Sequence, residues 1–290
     1  MRILIVGCGD VGLRVARELA GRARILALSH SPERFDALRL AGVTPIAGNL
    51  DDRASLRRLA GLADAILHFA PPPGEGDTDP RTRHLLAALS RFPAPASRRG
   101  RPPALVYIST SGVYGDCAGA AVAETRPARP HNARAKRRAA AEASLRAWGR
   151  DGRRVAILRA PGIYAGDRLP ADRVRKALPA IVAEDDVHTN HIHAQDLARL
   201  ALAALFRGRA NRIYNAVDDS GLKMGDWFDV VADHLGLPRP PRLPRADVMA
   251  AVTPAMRTFL SESRRLLNGR VKTELRFRFR YPNVKAGLNT

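Results

Sequence analysis

The chain begins with an apolar run, residues 2–6, that turns directly into Gly7-Cys8-Gly9-Asp10-Val11-Gly12, a G-x-G-x-x-G pattern. A strand that ends in glycines and feeds a helix makes a tight corner. The first glycine allows the turn, the second lets a ligand approach the backbone, and the third lets helix and strand pack closely. Amides at the start of such a helix, aided by its dipole, favour a diphosphate. Val11, Val15 and Leu19 follow at helical spacing, with Gly21 as a stop. In a chain with 23 glycines the pattern also arises as a plain turn. Its place between a strand and a helix favours dinucleotide binding, with Gly7, Gly9, Asp10, Val11 and Gly12 at the contact.

The corner is the first of a series. RILALSH (24–30) reads as a second strand, SPERFDALRLAG as a helix capped by Ser31 with Pro32 in its first turn, and VTPIAGNL as a third strand. ASLRRLAGL then reads as a helix, DAILHFA as a strand and PRTRHLLAALSRF as a helix. ALVYIST follows as a fifth strand, AKRRAAAEASLRAWGRDG as a helix and RVAILRA as a sixth strand. Strands that alternate with helices form a parallel sheet covered on both faces, joined by right-handed crossovers. The expected fold is α/β, a Rossmann-like doubly wound parallel sheet with a smaller, mostly helical C-terminal lobe. Residues 1–164 form the dinucleotide-binding domain and 165–290 the substrate-binding lobe, with about 188–218 returning to the core through the strand RIYNAV (212–217). The proline-rich stretch 236–248 is expected to hold no regular element.

Bulk composition sets limits. Two cysteines, Cys8 and Cys117, make neither a disulfide framework nor a metal-ligand spacing, so a reducing cytoplasm is expected and no metal. The first apolar run is shorter than an export signal's core, and no stretch reaches the roughly 18 uncharged apolar residues of a membrane span. The formal charge of +20 raises the prospect of nucleic acid. Only five of the 48 basic residues are lysines, however, and the arginines are scattered; the runs near 98–102 and 136–138 read first as solvated faces. With aromatics at 5% and no recognition motif, nucleic acid is a disfavoured partner and a small-molecule substrate the expected one. A homodimer stays open.

The end of the second strand bears on the choice of dinucleotide. An acidic residue there would hold the 2′-hydroxyl of NAD. The chain has Ser29 and His30 instead, with Arg34 just beyond, and no carboxylate to repel a 2′-phosphate. NADP is the favoured cofactor, with NAD as the alternative. The competing reading is that Ser29 begins a turn and His30 faces water.

Further segments resemble one family. GNLDD (48–52), HFAPP (68–72), ISTSGVYGD (108–116), LRAPGIYAGDR (158–168), NHIHAQDLARL (190–200) and the terminal YP and GL (281–288) are similar to segments of the extended short-chain dehydrogenase/reductases, the NAD(P)-dependent epimerases and dehydratases of nucleotide sugars. The resemblance spans nearly the whole chain. It implies that Asn49 and Leu50 line the adenine, that Phe69, Ala70 and Pro71 flank the cofactor, and that Pro161, Gly162 and Ile163 set backbone against the nicotinamide. It also implies that Thr110 touches the substrate's reacting oxygen, with Ser111 as its neighbour and fallback; the alternative is a hydroxyl that merely caps a turn. Asn190, His193 and Asp196 are expected to fasten the second lobe to the core.

Family members carry Tyr-x-x-x-Lys after that hydroxyl, and the phenol exchanges a proton as hydride moves. In this register the chain reads Asn132-Ala-Arg-Ala-Lys136. The departure resembles the atypical, tyrosine-lacking branch of the superfamily. By that resemblance Lys136 meets the cofactor ribose and Asn132 occupies the acid's place, but an amide hydrogen-bonds without exchanging protons near neutrality. Three readings follow. Tyr114, Tyr164 or His131 supplies the proton; or the reaction needs only polarisation and hydride transfer; or the chain binds NAD(P) as a sensor or scaffold without turnover. Arg257, Arg264 and Arg265 are available to a substrate phosphate.

Overall fold

A computed structural model describes residues 1–90, 103–150 and 152–288. The basic run near 98–102 and the end of the predicted 80–92 helix lie outside them. In chain order the elements of the first half are β1 (Arg2–Val6), α1 (Asp10–Glu18), β2 (Arg24–Ser29), α2 (Phe35–Leu40), β3 (Val43–Ala47), β4 (Ala65–His68), α3 (Pro80–Leu89), β5 (Ala104–Thr110), β6 (Ala121–Val122), α4 (Ala133–Gly149) and β7 (Val155–Ala160). The second half comprises β8 (Gly162–Tyr164), α5 (Ala171–Arg175), β9 (Ala180–Ile181), β10 (His191–His193), α6 (Ala194–Arg207), β11 (Arg212–Asn215), α7 (Met224–Leu235), β12 (Arg242–Leu243), α8 (Arg245–Ala251), α9 (Pro254–Leu260), β13 (Arg265–Leu266), α10 (Gly269–Glu274) and α11 (Val284–Leu288).

Seven strands form one parallel sheet in the order β11-β7-β5-β4-β1-β2-β3. Strand order reverses between β1 and β4, so a crevice opens beyond their C-terminal ends, where sheets of this kind bind ligands. The near-continuous apolar strands follow from burial on both faces. Ile3 and Ile5 pack with Val15, Leu197 and Leu200 on one side, while Leu4 and Val6 pack with Leu105, Tyr107, Leu145 and Trp148 on the other. β11 joins β7 and so brings the second half of the chain back to the sheet. α6 and α10 pack on one face of the sheet, while α5, β9, α7 and α11 contribute to a separate cluster around Trp227, Phe228 and Val231.

Three local expectations need correction. Ser55–Leu59 is a 3₁₀ turn, not an α-helix. The Asp52 carboxylate accepts the Ala54 amide before it and Gly61 at φ +66° follows, leaving too little chain for α-helical turns. Ser31 makes no side-chain cap; its N–H donates to Ser29 Oγ at 3.3 Å, and residues 32–34 form a 3₁₀ turn before α2. The stretch 236–248 contains a two-residue strand and the first turn of α8. Its prolines exclude a helix at 237–244, yet Arg242–Leu243 still pairs with Ala180–Ile181, because Pro241 and Leu243 lend carbonyls to Ala180 and Val182.

Candidate active site

The three glycines of the corner meet three different demands. Gly7 has φ +88°, and a Cβ on it would lie 2.4 Å from the Ala70 nitrogen, because the end of β4 presses on this turn. A Cβ on Gly12 would reach Cys8 Sγ at 3.2 Å and Ile5 Cγ2 at 3.3 Å, so the third glycine sets how closely α1 lies on β1. Gly9 precedes α1, no side chain caps that helix, and a Cβ on Gly9 would project into open space. An uncapped helix start beside an open glycine is the cradle a diphosphate requires, so the residues present fit a dinucleotide. Asp10 sits in the first turn with its carboxylate held by Arg14 at 2.8 Å and Arg168 at 3.0 Å, which offsets its charge at this anion-binding corner.

Around the corner, Arg34 reaches from the β2–α2 connection and donates to the Cys8 carbonyl at 2.8 Å. Burial raises the Cys8 thiol to about 11, against a lowering influence from Arg34. Ser29 is buried and His30 exposed at the tip of β2. Asn49 turns the chain after β3 by accepting the Asp51 amide at 3.0 Å, and Leu50 is buried in the core. The amides of Phe69 and Ala70 donate to the Val6 carbonyl at 2.7 and 2.9 Å, while Pro71 is exposed.

A cavity of about 460 Å³ lies beyond β5 and β7, lined by Thr110, Ser111, Asn132, Pro161, Gly162 and Ile163. With Asn190 and Arg264, which also line it, the fold gathers eight of the residues singled out from sequence. Thr110 Oγ1 accepts the Gly112 amide at 3.2 Å. Its own hydroxyl proton has no acceptor among the described residues and is available to a ligand oxygen. Asn132 is the N-cap of α4 rather than part of it: Oδ1 accepts the Ala135 amide at 2.9 Å and Nδ2 donates to Glu262 at 3.3 Å. Lys136 is half-exposed, pairs with Asp77 at 3.3 Å and does not line the cavity.

The alternative proton donors fare differently. Tyr114 is buried, donates to Asn215 Oδ1 at 2.7 Å, and has its phenol raised by burial first. Tyr164 does not line the cavity; it is buried with its hydroxyl donating to the Asn283 carbonyl at 3.1 Å, and burial raises its phenol too. His131 is exposed and outside the lining. Of the three arginines considered for a phosphate, Arg264 alone reaches the cavity; Arg265 donates to the Gly119 carbonyl instead, and Arg257 is not a lining residue.

Sequence reasoning missed Arg134, Arg168, His188 and Glu262 in the lining. Arg134 was legible in retrospect, since it sits two residues after Asn132 at the mouth of α4. The others come from loops whose approach to Thr110 no spacing reveals. Arg168 is notable because it touches both the corner, through Asp10, and the cavity. Asn190 holds the C-terminal segment through the Arg264 carbonyl at 2.9 Å and the Leu266 amide at 2.8 Å. Asp196, fully buried, accepts the amides of Arg280 and Tyr281 at 3.0 and 2.7 Å. His193 caps α6 by accepting the Gln195 amide at 3.1 Å. Among the described residues no group of His, Cys, Asp or Glu could hold a metal ion, and no helix is long and apolar enough to cross a membrane.

With this geometry in place, comparison with known proteins is decisive at one level. The model of the NAD dependent epimerase/dehydratase family matches residues 3–216. The chain belongs to that family. A relative of this epimerase/dehydratase chain, the GDP-6-deoxy-D-mannose reductase of Pseudomonas aeruginosa, is 29% identical over 254 residues, 80% of this chain and 79% of the relative. A conserved protein of unknown function from Silicibacter pomeroyi superposes with TM-score 0.79 at 28% identity, covering 99% of this chain and 96% of the other. UDP-glucuronic acid 4-epimerase from Bacillus cereus, solved with NAD, superposes with TM-score 0.74 at 18% identity over 99% and 96% of the two chains, a likeness of fold.

Proposed function

We infer that this epimerase/dehydratase family chain is an NAD(P)-dependent oxidoreductase acting on a carbonyl or alcohol of a small molecule, with nucleotide sugars as the substrate class to test first. The observation that carries this reading is continuity: Arg168 joins the open glycine corner to a cavity in which Thr110 offers an uncommitted hydroxyl. Backbone at Gly9, Asp10 and Val11 would hold the diphosphate, with Gly7 and Gly12 shaping the turn, and Pro161, Gly162 and Ile163 would back the nicotinamide. When bound, the dinucleotide supplies a two-electron hydride acceptor or donor. Thr110, with Ser111 beside it, orients the reacting oxygen. NADP is favoured over NAD because the tip of β2 offers Ser29 and His30, with the Arg34 guanidinium nearby and no carboxylate. The relative named for GDP-6-deoxy-D-mannose supports the substrate class.

A second reading is a dinucleotide-binding protein without turnover. It is favoured by the state of the two residues at the family's acid-base positions: Asn132, in the tyrosine's place, is committed to its cap, and the retained Lys136 pairs with Asp77. One experiment separates the two. Purified protein is titrated with NADPH and NADH by fluorescence, then assayed at 340 nm in both directions with GDP-6-deoxy-D-mannose, UDP-glucose and simple carbonyls. The oxidoreductase reading expects tighter NADPH binding and turnover of at least one compound. Tight binding with no turnover by the wild type, but turnover by Asn132→Tyr, would establish the second reading.

A further inference from the structure

The cavity lacks the family's phenol, yet it contains an acid-base group. Glu262 is the one carboxylate among the described lining residues, carried there from the segment after α9, 130 positions from the residue it touches. Because Asn132 Oδ1 is taken by the Ala135 amide, the free end of the Asn132 side chain is its NH₂ group, a donor, and it meets Glu262 Oε1 at 3.3 Å. The other carboxylate oxygen accepts from Arg264 Nη1 at 2.7 Å, and that same nitrogen donates to the Gly115 carbonyl at 2.8 Å. Next door, the Ser263 amide donates to Asp116 and Ser263 Oγ accepts the His188 amide. Glu262 is thus fixed from α4, from the turn after β5 and from the segment before β10. Its side chain is only 9% exposed.

We propose that Glu262 is the proton acceptor of the reaction, held at the place of the missing phenol by Asn132; this rests on the oxidoreductase reading above. A carboxylate has four acceptor positions and two are used, which leaves capacity for a substrate hydroxyl. In alcohol oxidation the O–H bond breaks and its proton passes to Glu262. With an oxidised dinucleotide held at the glycine corner, the C–H electron pair would leave the alcohol as hydride to it as the carbon–oxygen bond becomes a carbonyl, a two-electron oxidation. The proton taken by Glu262 would then pass to water. Asn132 is in this account a positioning residue: it cannot move the proton, but it holds the group that does. The charged or titratable groups around Glu262 are Arg264 on its own segment, Arg134 from α4, Arg168 from the loop after β8, His188 from the segment before β10, and Asp116 beyond Ser263. Desolvation first, then Arg265 and Lys223, holds the His188 imidazole below its ordinary range, against a raising influence from Asp186 and Asp226.

The test uses the full chain, GDP-6-deoxy-D-mannose as the alcohol and NADP⁺ as acceptor, in wild type, Glu262→Gln and Glu262→Asp. A positioned acid-base group is worth about 10²–10⁴ in rate, so Glu262→Gln is expected to lose at least about 10² in kcat while NADPH affinity stays at the wild-type value; Tm is expected to fall in this variant, because Arg264 loses its buried counter-charge. The acid limb of the kcat/KM profile disappears in Glu262→Gln and survives in Glu262→Asp, which a merely structural carboxylate would not produce. A second readout needs no turnover. Calorimetric binding of GDP-6-deoxy-D-mannose to cofactor-free protein is expected to weaken about fivefold in Glu262→Gln, because a charged acceptor becomes a neutral one. Wild-type turnover matched within about threefold by Glu262→Gln, with an unchanged pH limb, overturns the assignment and leaves the oxidoreductase reading standing. A wild type that binds both compounds without hydride exchange overturns both.

Discussion

One methyl group placed at Gly7 and one at Gly9 would probe opposite properties of the same corner. At Gly7 the methyl lands 2.4 Å from the Ala70 backbone nitrogen, in a left-handed conformation that disfavours any Cβ. Gly7→Ala is therefore expected to cost about 2–4 kcal/mol in urea unfolding. At Gly9 the backbone has φ −86° and the added Cβ meets nothing, so Gly9→Ala should stay within about 0.5 kcal/mol of wild type. The same methyl stands where a diphosphate must touch backbone, and NADPH affinity is expected to fall about tenfold or more, roughly 1.4 kcal/mol. A Gly9→Ala protein with unchanged affinity would remove the diphosphate from this corner. The two glycines read identically in sequence. What separates them is the approach of β4, a contact between residues 63 positions apart that only the folded sheet creates. Asn132 carries the same lesson. Its mismatch with the family's tyrosine was legible from register, whereas its cap on α4 and its hold on Glu262 required the fold.

Strand β5 and helix α4 are tied beneath the cavity by a polar contact that no periodicity signals. Ser109 donates to Glu142 Oε1 at 2.6 Å, and Arg159 on β7 meets the same carboxylate at 3.1 and 2.7 Å, all three residues being buried. Arg159 also stacks over the Tyr114 ring at 4.5 Å. The elements were legible because their local signals agree with the fold. ALVYIST is a buried apolar run that becomes β5 residue for residue, and the alanine-rich stretch becomes α4. The prolines at 238–244 carried a local signal against regular structure, and a two-residue pairing with a distant strand overrode it. The buried contact was illegible because Glu142 and Arg159 look like two more charges in a basic chain. Removing one partner leaves the other charged and desolvated. Glu142→Ala is accordingly expected to cost about 3–5 kcal/mol, while the volume-conserving pair Glu142→Leu with Arg159→Met should be near neutral. Equal losses for both variants, measured by urea unfolding, would show that the ion pair itself contributes net stability that apolar packing of the same volume cannot replace.

Across the molecule, three buried titratable groups set how stability depends on pH. His68 and His191 are both held down to about 3, His68 by burial and then by Arg138, His191 by burial alone. Their folded forms are neutral, so their contribution is complete above the unfolded value near 6.5 and is lost as pH falls toward 3. Asp218 behaves in the opposite sense. Burial raises it from 3.8 to about 7, against the hydrogen bonds from Ser220 and Tyr164 and with some further raising from Asp219. A carboxyl raised in the fold favours its protonated state there. Its contribution is present below the unfolded value and is lost as pH rises through 7, which leaves a deprotonated, desolvated carboxylate at pH 8. Asp218→Asn keeps an oxygen for the Ser220 amide, now 2.9 Å away, and removes the ionisation. The variant is expected to exceed wild type by about 2–4 kcal/mol at pH 8, roughly 4–8 °C in Tm, with the difference shrinking steadily to pH 5. The acid-side loss from His68 and His191 should persist in the variant, because neither imidazole depends on Asp218. A Tm difference that stays constant from pH 5 to pH 8 would mean that Asp218 does not titrate in that window, and that its effect on stability is one of shape rather than charge.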